Sequence, residues 1–123
     1  MTETITVAVS ELIFQSRIRA AAEALGLSIA VADAPASLDA AIAARPAALI
    51  VDLQDRSIDP VAAITAGKAA GLRVLAFGRH TDAASLRAAR TAGADTVVPR
   101  SQLNAEMPAL LSELVESPDS AKR

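Results

Sequence analysis

The sequence predicts an α/β fold: a doubly wound five-stranded parallel sheet, strand order 2-1-3-4-5, with five helices. Three observations carry that expectation. Short apolar runs alternate five times with Ala-rich segments of helical period. The apolar runs are continuous, as strands covered on both faces require. Caps, prolines and glycines punctuate the boundaries between the two kinds of segment. Repeated strand–helix–strand units cross over right-handed and give a parallel sheet, for which 2-1-3-4-5 is the usual five-stranded order.

The elements follow in order. Residues 5–9 read as a buried strand. Ser10 can cap a helix running to about Leu25, where Gly26 supplies a left-handed stop. Phe14, Ile18, Ala21, Ala22 and Leu25 recur at helical spacing and form its apolar face. Residues 27–32 are a second strand. Ser37 can cap a short helix carrying Leu38, Ala41 and Ile42, which ends before Pro46. Residues 47–51 form the third and most apolar strand, and it runs into Asp52.

A polar loop at residues 54–57 follows. Asp59-Pro60 starts a helix, with Asp as cap and Pro in the first turn, and Gly71 ends it. Residues 72–77 are the fourth strand. The loop at 78–82 leads to a helix capped by Thr81 or Asp82 and stopped at Gly93. Residues 95–98 are a short fifth strand. Met107, Leu110, Leu111 and Leu114 mark the last helix. Pro108 is tolerable there only in a first turn, so that helix is expected to start near Asn104.

The length of 123 residues fits one domain, expected over residues 1–116, with residues 117–123 as a flexible C-terminal tail. The chain is 52% hydrophobic and 21% charged, the composition of a soluble globular protein. It has no cysteine, so thiolate metal sites and thiol catalysis are excluded, and His80 is its one histidine. A net charge of −2 without a basic cluster argues against nucleic acid. No apolar run approaches a membrane span, and residues 1–10 lack signal-peptide character, so neither a membrane nor export is expected, and the cytoplasm is. Thirty alanines favour thin helices lying close to the sheet. Phe14 and Phe77 are the only aromatic residues, so no stacking platform for a large flat ligand is expected.

Sites in such sheets lie beyond the carboxyl ends of the strands, where the strand order reverses. That edge collects Ser10 and Glu11 after strand one, Asp52 and Asp55 after strand three, and Gly78, Arg79 and His80 after strand four. Strand five delivers Pro99 and Arg100. Carboxylates then face a guanidinium across a small crevice. Such oxygen ligands suit Mg²⁺, which keeps most of its waters, and a carboxylate beside a cation can attack a phosphoryl group. Structural roles compete with each assignment. Asp52 can begin a turn or pair with Arg100, and Ser10 can cap. Glu11 can favour the helix dipole, and His80 can bond within its loop. Arg79, Arg87 and Arg90 can form a solvated helix face.

The segments ALIVDL ending at Asp52, LRVLAFG in strand four and TAGADTVVPRS around strand five make the chain resemble the response-regulator receiver family. These are the flavodoxin-like domains of two-component signalling, and the likeness covers residues 5–114. The resemblance implies that Asp52 is the phosphoacceptor of a histidine kinase and that Glu11, Asp52 and the Gln54 backbone carbonyl hold Mg²⁺. It also implies that Gly78 and Arg100 flank the phosphoryl group, with Ser10, Asp55 and His80 completing the pocket.

Departures from the family pattern are as informative. Ser10 replaces one acid of the usual pair, so metal affinity should be weak. Gly78 stands where a Ser or Thr hydroxyl is usual, and Arg100 replaces a lysine. Ser101 stands where proline is usual, and Val97 where the strand-five aromatic is usual. The resemblance therefore implies an atypical single-domain receiver, or pseudo-receiver, that acts as a signalling and protein-interaction module and is not an enzyme. Its partners would be a histidine kinase or another signalling protein, docked on the helix-four, strand-five, helix-five side near Arg87 and Arg90. The alternatives are a phosphorylation-independent structural module forming a homodimer, or a small-ligand or anion binder on the same fold.

Overall fold

The structure is a computed structural model that describes residues 3–116. Its elements are β1 (Thr4–Ala8), α1 (Leu12–Ala24), β2 (Ser28–Val31), α2 (Pro35–Ala43), β3 (Ala48–Asp52) and α3 (Pro60–Ala69). They continue with β4 (Arg73–Gly78), α4 (Ala83–Thr91), β5 (Thr96–Pro99), α5 (Arg100–Ala105) and α6 (Met107–Val115). The five strands form one parallel sheet in the order β2-β1-β3-β4-β5. The expected topology is therefore found, and each strand lies within one residue of its expected position. The proposed tail at 117–123 falls outside the described residues.

Side chains alternate between the two faces of each strand. Ala48 and Ile50 of β3 pack with Phe14, Ile18, Leu103, Leu111 and Leu114 on one face. Leu49 and Val51 pack with Leu38, Ile42, Ile64 and Leu86 on the other. Burial on both faces explains why β3 is apolar throughout. Each fully buried side chain of this size contributes roughly 1.5–3 kcal/mol. The alanine-rich helices do lie close to the sheet: a Cβ added at Gly67 in α3 would come within 2.8 Å of Leu49 Cδ2.

The helix boundaries show where local signals compete. The helices number six rather than the expected five. Pro108 does sit in a first turn, but of α6, and a separate helix begins at Arg100. A continuous helix would drive the Pro108 ring against the Asn104 carbonyl, so the chain breaks at Glu106, with φ −119° and ψ 25°. Ser37 is not the cap of α2. Pro35 starts that helix, and the Ser37 hydroxyl accepts from the Ala34 N–H at 3.1 Å. Leu25 lies at the C-cap of α1 and is 40% exposed, outside the apolar face. Asp59 and Asp82 cap α3 and α4 as expected.

Asp95 anchors the end of the sheet remote from the strand carboxyl ends. It accepts from Lys68 Nζ and the Val74 N–H, both at 2.8 Å, and Arg73 lies 3.5 Å away. Burial pushes its carboxyl up, but the Lys68 and Val74 hydrogen bonds and the two cations outweigh this and hold it below the ordinary 3.8. A depressed carboxyl stabilises the fold above its unfolded pKa and loses that contribution as pH falls through the folded one. Asp95→Ala should therefore lose about 1–3 kcal/mol in urea unfolding at pH 7. The deficit should shrink as pH drops below the ordinary carboxylate range.

Candidate functional site

The parallel register brings the carboxyl ends of β1, β3, β4 and β5 to one rim, with Asp52 opposite Phe77 and Gly78 opposite Pro99. Asp52 ends β3 and is only 7% exposed. Its Oδ1 accepts from the Gln54 N–H at 2.9 Å. Burial pushes the Asp52 carboxyl above its ordinary 3.8. The Gln54 hydrogen bond and the Arg100 guanidinium oppose that rise, while the Asp55 and Glu11 charges add to it. Glu11, Asp55 and Arg100 all lie within electrostatic reach of Asp52.

Ser10 does not cap α1; Glu11 occupies that position without a side-chain cap. The Ser10 N–H and hydroxyl both donate to Asp55 Oδ2, at 2.9 and 2.6 Å. The Ser57 N–H donates to Asp55 Oδ1 at 2.8 Å. Burial pushes the Asp55 carboxyl up, but these bonds outweigh it and hold the group below its ordinary value. The pair ties the loop after β1 to the loop after β3. Glu11 pairs with Arg100, whose guanidinium also lies 4.4 Å over the Phe14 ring. Phe14, read from the sequence as core only, thereby positions the cation of the site.

Gln54 contributes its side chain as well as its backbone. Its Oε1 accepts from the Arg79 N–H at 2.9 Å, and its Nε2 donates to Asp82 Oδ2 at 2.9 Å. A Cβ at Gly78 would approach Gln54 Oε1 to 2.6 Å. Glycine at 78 is thus the space that this amide fills, as well as a missing hydroxyl. The clasp joins the loop after β3 to the loop after β4.

The predicted residues divide between two neighbouring crevices. Ser10, Glu11, Asp52, Gln54 and Asp55 line one of about 370 Å³. Arg100 and His80 line the other, of about 490 Å³, together with Arg79, which belongs to a loop and not to a helix face. Gly78 lines neither. The donor set does not fit a tightly held Mg²⁺. Glu11 is engaged by Arg100, and Asp55 by Ser10 and Ser57. Among the described residues no group of three or more His, Cys, Asp or Glu side chains is arranged to hold a metal ion.

No family model matches the chain, and no curated protein matches it in sequence. Solved structures do. NtrX from Brucella abortus superposes with a TM-score of 0.82 at 20% identity, over 99% of this chain and 28% of that one, so the chain spans little more than a quarter of NtrX. The receiver domain of a Pseudomonas aeruginosa sensor histidine kinase, with magnesium coordinated in its active-site cleft, gives 0.79 at 16% identity, over 95% and 100% of the two chains. A LuxR-family two-component response regulator from an Aurantimonas species gives 0.76 at 23% identity, over 99% and 94%. The chain therefore has the fold of response-regulator receiver domains. No helix of the described residues is long and apolar enough to cross a membrane.

Two outcomes follow from this geometry. A raised carboxyl pKa means that stability is present below the ordinary 3.8 and lost as pH rises through the folded value. Asp52→Asn, which keeps an acceptor for Gln54, should raise Tm by a few degrees at pH 7, and the difference should vanish below pH 3.8, as calorimetry across pH would show. Gln54→Ala removes the acceptor of the Arg79 N–H. Its amide exchange should accelerate roughly 2- to 10-fold, while amides of β3 stay protected.

Proposed function

We propose that the chain is an atypical receiver: a non-enzymatic, cytoplasmic signalling and protein-interaction module, over residues 1–116, whose Asp52 accepts a phosphoryl group from a histidine kinase. The observation that carries this reading is a buried carboxyl at the end of β3 within electrostatic reach of Arg100, whose guanidinium is paired with Glu11. Burial makes the carboxylate more basic and so a better nucleophile. One of its oxygens attacks the phosphorus of a phosphohistidine, the P–N bond breaks, and the imidazole leaves with a proton from water. The product is an acyl phosphate.

Arg100 is the reader in this account. An acyl phosphate carries up to two negative charges where Asp52 carried one. It draws Arg100 away from Glu11 and off the Phe14 ring. Gly78 and Val97 lack the hydroxyl and the aromatic of the usual relay, so the response appears at α1 and the start of α5. A divalent cation would be held by Asp52, the Gln54 carbonyl and Glu11, and only weakly, because Glu11 is paired with Arg100. Metal titration of Glu11→Gln tests that assignment.

The Gln54 clasp favours a second reading, a pseudo-receiver that docks on signalling partners, or on a second copy of itself, without phosphorylation. Incubation with acetyl phosphate and Mg²⁺, and separately with a phosphorylated histidine kinase, followed by intact mass, decides between them. The first reading expects one phosphoryl adduct that is absent from Asp52→Asn. No adduct from either donor, or an adduct that persists in Asp52→Asn, overturns it.

A further inference from the structure

The larger of the two crevices contains chemistry that phosphorylation at Asp52 does not use. Its walls come from three segments: α1, the loop after β4 and α5. It is an open crevice between them. Three arginines, Arg17, Arg79 and Arg100, line it with His80, and no Asp or Glu does. This convergence occurs in a chain whose net charge is −2. Arg100 is paired with Glu11, but among the described residues Arg17 and Arg79 make no ion pair. Arg17 is bonded only through Nη1, which donates to Asn104 Oδ1 at 2.7 Å.

The same cavity has an apolar side. Ile13 lines it and is 68% exposed, a large aliphatic group left to water beside the Phe14 ring. Its volume of about 490 Å³ falls in the range of small-ligand sites, roughly 300–1,000 Å³. Arginine is the side chain suited to planar and tetrahedral oxyanions, because its donors form a fixed fork.

We propose that this cavity binds a small organic anion with an aliphatic body. The carboxylate, sulfonate or phosphate head lies on Arg17 and Arg79, and the body lies against Ile13 and Phe14. The site is a ligand input separate from the Asp52 crevice, and it does not depend on Asp52 being a phosphoacceptor. Arg100 links the two, since it lines this cavity while its partner Glu11 lines the other.

Hexanesulfonate is a suitable probe, because it has both the head and the body and cannot transfer a phosphoryl group. Titration of the full chain, followed by amide NMR, should give saturable shifts confined to residues 13–17, 79–81 and 100–104. Methanesulfonate carries only the head and hexanol only the body. Each should bind at least about tenfold more weakly, and Arg79→Ala should weaken hexanesulfonate by about tenfold. Ile13→Ser should weaken it several-fold, while Arg87→Ala, an exposed arginine outside the cavity, should leave it unchanged. Arg79 and Ile13 are both exposed, so the variants should keep the wild-type spectrum elsewhere. Several results would overturn the proposal. They are shifts scattered over the surface, equal affinity for methanesulfonate, or Arg79→Ala binding like wild type. Tighter binding of an acidic, leucine-containing peptide that also shifts Leu12 would overturn it in favour of a protein partner.

Discussion

A carboxyl group at the end of a strand buried on both faces is the constraint around which the rest of the site is arranged. Ala48, Leu49, Ile50 and Val51 leave β3 no polar face, and the register with β4 sets Asp52 against Phe77. Water cannot solvate such a group freely, so the protein must supply the compensation. It does so with one backbone N–H and one guanidinium. The guanidinium is in turn held by Glu11 and by the face of Phe14. Burial, ion pair and cation–π contact form one chain of dependence that runs from the sheet to α1 and α5.

The loops around the rim are joined in a second way. Ser10 and Asp55 link the segments after β1 and β3, and Gln54 with Asp82 links those after β3 and β4. Both links run through polar side chains. Arg100 stands apart, because both it and its partner Glu11 are part-exposed.

What the sequence made legible, and what it did not, follows from the range of the forces involved. Strands were readable because a run such as residues 47–51 has no stable alternative to burial. The caps at Asp59 and Asp82 were readable because their partners lie two or three residues away. Ser10 misled because α1 starts one residue later, with Glu11 at the cap position, and the Ser10 hydroxyl donates to Asp55, 45 residues distant. Pro108 fixed a first turn correctly but could not show that the preceding six residues coil on their own. Gly78 was legible as a lost hydroxyl and not as space for Gln54, because only the folded register sets the two loops side by side. Likewise, Phe14 carried a core pattern in the sequence, and its second role depends on where α5 begins.

The central claim is that Asp52 is a desolvated carboxyl whose rise is opposed first by the Gln54 N–H and then by Arg100. Its most direct test is a carbon-detected NMR titration of the Asp52 side chain in the wild type and in Arg100→Gln. The account predicts a wild-type pKa above 3.8 and a higher one still in the variant. A carboxyl that titrates at or below 3.8, or one indifferent to the loss of the guanidinium, would contradict it.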